Sequence, residues 1–298
     1  MATRTQDAAS EEIERGSSLW RDAWLRMGKN KIAIVSLVVF IITCLLCFGF
    51  AWFCKDPIQQ DLTNKFASPS GEHWLGTDAM GRDLFSRILY GGQISILVGL
   101  VATFVAVTIG VTYGAISGFY GGRADTIMMR IVDFFMVLPF LMIVIVFVTI
   151  SPSYDIFTFS FMMAAFLWTG TARLVRSLAI QERELDYISA SKTLGSSHGK
   201  IVFTQLMPNL VGIIIVNGTL SLAANIGIES GLSFIGFGFP EDYPSLGTLM
   251  AYATNSQTLQ HRPWIWVPAA IMILVLMLCV RNIGEAMRRA GDARQRQA

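Results

Sequence analysis

Residues 186–209 read DYISASKTLGSSHGKIVFTQLMPN, a polar stretch between two apolar segments that are each long enough to cross a bilayer. Within it Tyr187, Ala190 and Leu194 recur at helical spacing, with Leu185 and Ile188 alongside. Gly195 is placed to take the left-handed conformation that ends a helix. Ser196 or Ser197 then caps a second helix, whose apolar residues Ile201, Val202 and Leu206 run towards Pro208. That proline restricts Met207 and marks the return to the membrane. The stretch reads as a short helix–glycine–helix unit. Its residues leave two fates open: a knob that fills a groove in another protein, or a loop folded on its own bundle.

The surroundings are strongly apolar. Of 298 residues 53% are hydrophobic and 15% are charged, with a mean hydropathy of +0.53. Soluble domains carry about 25% charged residues, so this composition points to a membrane and leaves no room for a large soluble enzyme domain. The net charge is only +2, and the basic residues lie between apolar segments rather than on one face, which argues against nucleic acid. Cys44, Cys47, Cys54 and Cys279 form no metal or disulfide spacing, and His73, His198 and His261 are scattered. Nothing matches G-x-x-x-x-G-K-[ST], so the chain does not bind ATP by that route, and no cofactor is expected on it.

Six apolar segments are long enough to be helical spans: 32–53, 94–120, 131–150, 156–175, 210–227 and 264–280. No segment alternates with period two as barrel strands would, so helices satisfy the backbone. About thirty polar residues precede the first span and no small-x-small cleavage site follows it, so it reads as a retained anchor. In the preceding tail, Leu19, Trp20, Trp24, Leu25 and Met27 share a helical face. That face lies either at the membrane interface or against the protein's own loops. With the N-terminus in the cytoplasm, the outer segments hold only Lys55, Lys65, Arg82, Arg87 and Arg262 of the 23 basic residues. The bias places both termini and the 186–209 stretch inside. No internal repeat is visible, and Asp133 and Glu229 are the exceptional ionisable residues at membrane depth, which argues against an ion-coupled carrier. Asp133 is expected to pair with Arg130 or a backbone group.

Several motifs carry a resemblance. Ser189-Ala190-Ser191, Gly195 and Pro208 stand where permeases of ATP-binding-cassette (ABC) importers have Glu-Ala-Ala, a glycine and a proline in their cytoplasmic signature loop. Ser189 replaces the family's glutamate, with Asp186, one turn earlier, and Glu184 as substitute carboxylates. The run HWLGTDAMGRDLFSRILYGG (73–92) resembles H-x-L-G-T-D-x-x-G-R-D-x-x-S-R-x-x-x-G of permeases for oligopeptides, dipeptides and nickel. GFYGGRADTIMMRIVDFFMVLP (118–139), ESGLSFIGFGFPEDYPSLG (229–247) and the tail RNIGEAMRRAGDAR are similar to further segments of that family, in the same order. Physically, Gly76, Gly81 and the Asp78, Arg82 and Asp83 group suit a tight outer turn held by charge pairs. Gly121 and Gly122 suit a turn and helix start, and Gly231, Gly236 and Gly238 a re-entrant outer element.

The resemblance implies the second of two permease subunits, with a type I ABC importer permease fold of about six transmembrane helices. It divides the chain into a tail (1–31), a first helix (32–53), an outer loop (54–93), a core (94–285) holding the coupling loop (176–209), and a cytoplasmic tail (286–298). It implies a homologous permease partner, two ABC ATPases that use ATP and Mg, and an extracytoplasmic binding protein. The setting is a bacterial plasma membrane, and the substrates are oligopeptides, with dipeptides or nickel chelates as alternatives. Glu184, Asp186, Tyr187, Ser189, Ala190, Ser191, Leu194, Gly195 and Pro208 are the residues it assigns to ATPase coupling. A stand-alone carrier or channel, with the 186–209 unit packed on its own bundle, is the rival from another class.

Overall fold

The computed structural model describes residues 30–151, 153–240 and 243–295. The amphipathic face expected at Leu19, Trp20, Trp24, Leu25 and Met27 lies outside the described residues, as do Glu241, Asp242 and the last three residues. Among the described residues the regular elements are all helices, residues 54–83 form a loop, and β pairing is limited to a bridge between Thr77 and Asp83.

Helix α1, Lys31–Phe48, starts where the Asn30 side chain accepts the N–H groups of Ile32 and Ala33. Only Ala33, Ser36 and Cys47 of this helix are buried, so its apolar surface faces outward, as a lipid-facing helix does. The long helix α2, Leu84–Tyr120, begins well inside the expected outer loop. It can do so because the Asp83 carboxylate caps it, accepting the Ser86 N–H at 2.9 Å.

Helix α2 is the spine of the bundle, and it lies along α5, Ile156–Glu182. Gly110, Gly114 and Gly118 make this contact close. A Cβ at each would meet α5 backbone: the carbonyl oxygens of Trp168, Ala172 and Arg176 in turn. Such small residues at four-residue spacing let two helices approach where no water drives them together. On another face, α2 packs against α7, His198–Phe234, where the Asn225 amide donates to Thr103 Oγ1 at 2.8 Å.

Between α2 and α5 the expected straight span 131–150 is broken. It forms α3, Gly122–Val137, and α4, Phe140–Ile150, bent by 70°. Leu138 is extended (φ −67°, ψ 130°), as the residue before Pro139 tends to be, and α4 restarts after the proline. A short α6, Asp186–Thr193, precedes α7. After α7 come α8, Leu246–Met250, α9, Ser256–His261, and α10, Pro263–Gln295, which packs on α7 and α1. Among the described residues four helices (α1, α2, α7 and α10) are long and apolar enough to cross a membrane, or five spans if the bent α3–α4 pair counts as one. The expected span 156–175 is a helix of sufficient length, but Arg173 and Arg176 make it more polar than the others.

Candidate functional site

The 186–209 unit is built around one glycine. Helix α6 ends in a Schellman motif: the Gly195 N–H donates to the Lys192 carbonyl at 3.0 Å and the Ser196 N–H to the Ser191 carbonyl at 3.1 Å. Gly195 has φ +77°, the left-handed conformation the sequence predicts. Asp186 in the first turn and Lys192 in the last complement the helix dipole. Ser197 occupies the N-cap position of the following helix, without a side-chain cap bond.

The unit is fastened to the bundle on one side. Ile188 is fully buried, packed in a cluster with Phe119, Val175, Ile201, Val202 and Leu206. Tyr187 Oη donates to Glu182 Oε2 at 2.6 Å and accepts the Asn209 amide at 2.8 Å. Burial, together with the Glu182 bond, pushes the Tyr187 phenol above its ordinary range. Ser191 Oγ donates to Gln205 Oε1 at 2.8 Å. The neighbouring Arg183 donates to the Gly118 carbonyl at 3.1 Å, tying the end of α5 to the α2–α3 turn.

The opposite side is open. Glu184, Asp186, Ser189, Ala190, Gly195 and Pro208 are exposed, and Leu194 is 85% exposed at the tip. Of the nine residues singled out in the sequence, seven are therefore accessible, while Tyr187 and Ser191 turn inward as ties. Glu182, Gln205 and Asn209, which hold those ties, had no signal in the sequence. Met207, expected to be restricted by Pro208, is helical at φ −60° and ψ −43°. A π-helical turn, Val202–Leu206, precedes the proline and α7 runs on through it without a break, since wider turns accommodate a ring and a missing N–H.

This arrangement is a knob fastened on one side to a membrane bundle and open on the other. Residues 110–290 match the family of binding-protein-dependent transport system inner membrane components. This chain belongs to that family. At the other end of the permease, residues 18–69 match the N-terminal transmembrane domain of oligopeptide transport permease C. The permease is 40% identical over 270 residues to the oligopeptide transport system permease protein OppC of Lactococcus lactis subsp. lactis, covering 90% of this chain and 92% of the relative. It is 36% identical over 291 residues to the OppC protein of Bacillus subtilis, covering 97% and 94%. It is 35% identical over 291 residues to the dipeptide transport system permease protein DppC of the same organism, covering 97% and 90%.

Two further polar clusters of the permease serve its architecture. Asp78 accepts Arg82 Nε at 2.7 Å and the Tyr252 hydroxyl at 3.2 Å, while the His73 ring nitrogen Nδ1 lies 2.8 Å from Asp83. Burial pulls the Arg82 guanidinium down, but Tyr252 and Asp78 outweigh it and leave the net shift upward. Gly81, at φ +75°, closes this turn against the backbone of Asp61 with no space for a Cβ. The expected charge-paired turn is thus present. Glu229 is wholly buried near the far end of α7, with Ser233 donating to it at 2.8 Å and Ser230 at 3.3 Å. Gly236 (φ +87°) ends the turn after α7, while Gly231 lies within the helix, so the re-entrant segment is shorter than expected. Asp133 forms the expected ion pair with Arg130, a loose one at 3.9 Å, and a closer one with Arg173 of α5 at 2.5 Å.

Proposed function

We propose that the permease is the second of two homologous membrane subunits in an ATP-driven importer of a bacterial plasma membrane. Two ABC ATPases, which hold ATP and Mg, bind beneath the pair, and an extracytoplasmic binding protein delivers substrate from above. The chain crosses six times with both termini inside, an orientation supported by its basic-residue bias. The substrates are peptides, oligopeptides first, in keeping with the names of the relatives that are 40% and 36% identical to this chain. The permease itself carries no cofactor and catalyses no reaction.

The observation that carries this reading is the two-sided character of α6. One side is tied to α5 and α7 through Tyr187, Ile188 and Ser191, and the other offers Asp186, Ser189, Ala190 and Leu194 to a partner. Closure of the ATPase dimer moves α6, and because α6 is fastened to long helices the movement passes to the bundle. The permease pair then opens alternately outward and inward, a two-state switch biased by the partner's unequal contacts with the two states.

Leu194→Asp tests the reading, because Leu194 has no packing role in this chain and the fold should survive. The variant should insert normally yet lose its ATPases on co-purification in detergent and lose ATP-driven peptide uptake. A variant that keeps both would place the ATPase contact elsewhere.

A further inference from the structure

Two ion pairs join α3 to α5, and they differ in character. Asp125 and Arg176 form a two-pronged pair, Nε to Oδ1 at 2.5 Å and Nη2 to Oδ2 at 2.6 Å, and Ser117 adds a third bond to the carboxylate at 2.6 Å. Its members are 33% and 14% exposed on the arginine and aspartate sides. Both oxygens of that carboxylate are bonded, and the pair serves the fold.

The second pair is unsaturated and open. Arg173 Nη2 donates to Asp133 Oδ1 at 2.5 Å, and this single contact leaves the other N–H groups of the guanidinium fork without a bond among the described residues. Asp133 Oδ2 is 3.9 Å from Arg130 Nη1, too far for a hydrogen bond. The side chains of Arg173 and Asp133 are 47% and 43% exposed, and that of Arg130 is 81% exposed. Arg130, Asp133, Phe134 and Val137 recur at helical spacing on one side of α3, all with substantial exposure. Gly170, one turn from Arg173 on α5, has nothing within 4 Å of where its Cβ would stand, so the space beside the guanidinium is clear.

The depth of this group matters. Arg173 lies two residues before the end of the apolar segment 156–175 and Asp133 two residues after the start of 131–150, so the group sits at the inner end of both segments. Exposed charges at the end of a span face water or protein rather than lipid. A face carrying two arginines and one aspartate has a net charge of +1, and a guanidinium fork with free donors matches a carboxylate in shape as well as charge.

We infer that Arg173, with Arg130 beside it, forms a binding point on the wall of the translocation pathway for the free terminal carboxylate of a passing peptide. Asp133 holds the guanidinium in place between passages and yields it when the substrate carboxylate arrives. Phe134 and Val137 provide an apolar shelf for the adjoining side chain. The inference rests on the permease being a peptide importer and adds to that reading the substrate group recognised and the residues that recognise it.

The test uses the whole transporter, with its partner permease, ATPases and binding protein, in proteoliposomes. ATP-driven uptake of one peptide is compared with that of its C-terminal amide. The quantity read is the uptake ratio of free acid to amide in a variant, divided by the same ratio in the parent, which cancels any preference of the binding protein. Arg173→Gln should lower this quotient about tenfold, the worth of one charge-assisted contact. Arg130→Gln, at a position too exposed to threaten folding, should lower it by about threefold. Arg173→Lys, which keeps the charge and loses the fork, should fall between the parent and Arg173→Gln. A quotient of one in Arg173→Gln with both peptides reduced alike would make the residue a structural tie and overturn the inference. If Arg173→Gln does not assemble, the Arg130→Gln quotient decides in the same way. Absence of ATP-driven uptake of either peptide by the parent transporter would be a different failure, that of the peptide-importer reading itself.

Discussion

Gly195 allows the strain of a turn and the contact of a partner to be separated in one set of variants. Its φ of +77° is unfavourable for a residue with a Cβ, by about 1–2 kcal/mol for alanine. Asparagine and aspartate tolerate this conformation better. Apart from its two chain neighbours, no atom of the described residues lies within 4 Å of where the Cβ would be, so the backbone accounts for the cost there. Released from the turn, the Gly195 and Ser196 amides lose their bonds to the carbonyls of Lys192 and Ser191. Their hydrogen exchange should speed up about 5–30-fold in Gly195→Ala, following that cost, and much less in Gly195→Asn or Gly195→Asp. Transport should rank the other way. If an ATPase surface lies close over Gly195, the larger side chains intrude most, and Asp adds a charge. ATP-driven uptake should then fall from Ala to Asn to Asp, with ATP hydrolysis continuing in the Asp variant without import. Uptake that follows the exchange ranking would make Gly195 only a turn residue, and wild-type import by Gly195→Asp would refute the coupling assignment.

Two other substitutions test the supports. Ile188→Ala removes the fully buried side chain that fastens α6 to α2, α5 and α7, and should cost roughly 2–5 kcal/mol. Limited proteolysis around Leu194 should then accelerate while the rest of the bundle stays protected; unchanged cleavage would show that the hydrogen-bonded ties suffice. Gly81→Ala drives a Cβ into the backbone of Asp61 at φ +75° and should disorder the outer turn, lowering the detergent melting temperature by several degrees at a cost of about 2–3 kcal/mol. A melting temperature equal to the parent's would mean that the turn contributes nothing to the stability of the bundle.

The features legible in the sequence were local ones. Apolar runs gave helices, and Gly195, Gly81 and the Gly121–Gly122 pair took the positive φ that their turn contexts require. The stripe of Gly110, Gly114 and Gly118 emerged only from its close contact with α5, because contact partners are not encoded in one segment. The same reason hides Arg173 as the mate of Asp133, forty residues away, and the inward turn of Tyr187 towards Glu182 and Asn209. Two prolines behaved oppositely for physical reasons. Pro139 follows an extended Leu138 and bends its span by 70°, whereas Pro208 follows a π turn that makes room for it. Composition does not distinguish the two cases. Within the candidate site, helical spacing grouped Tyr187 with Ala190 and Leu194, yet only the latter two stay exposed, and the inward ties of Tyr187 and Ser191 required the tertiary contacts.

The unbroken course of α7 has a mechanical consequence. One helix of 37 residues carries His198, beside the knob, and Glu229, near the far end, and it is about 55 Å long. Such a rod behaves as a beam on a fulcrum: pivoting by about 10° about its middle moves its tips roughly 5 Å in opposite directions. Its tighter and looser stretches are not spread along it, since the π turn lies in the first two turns and the remainder is regular α-helix. A push at the knob end of the helix thus reaches the serine-lined surroundings of Glu229 at its other end without any chain of small rearrangements between them. The stroke is set by the length of a single piece of secondary structure.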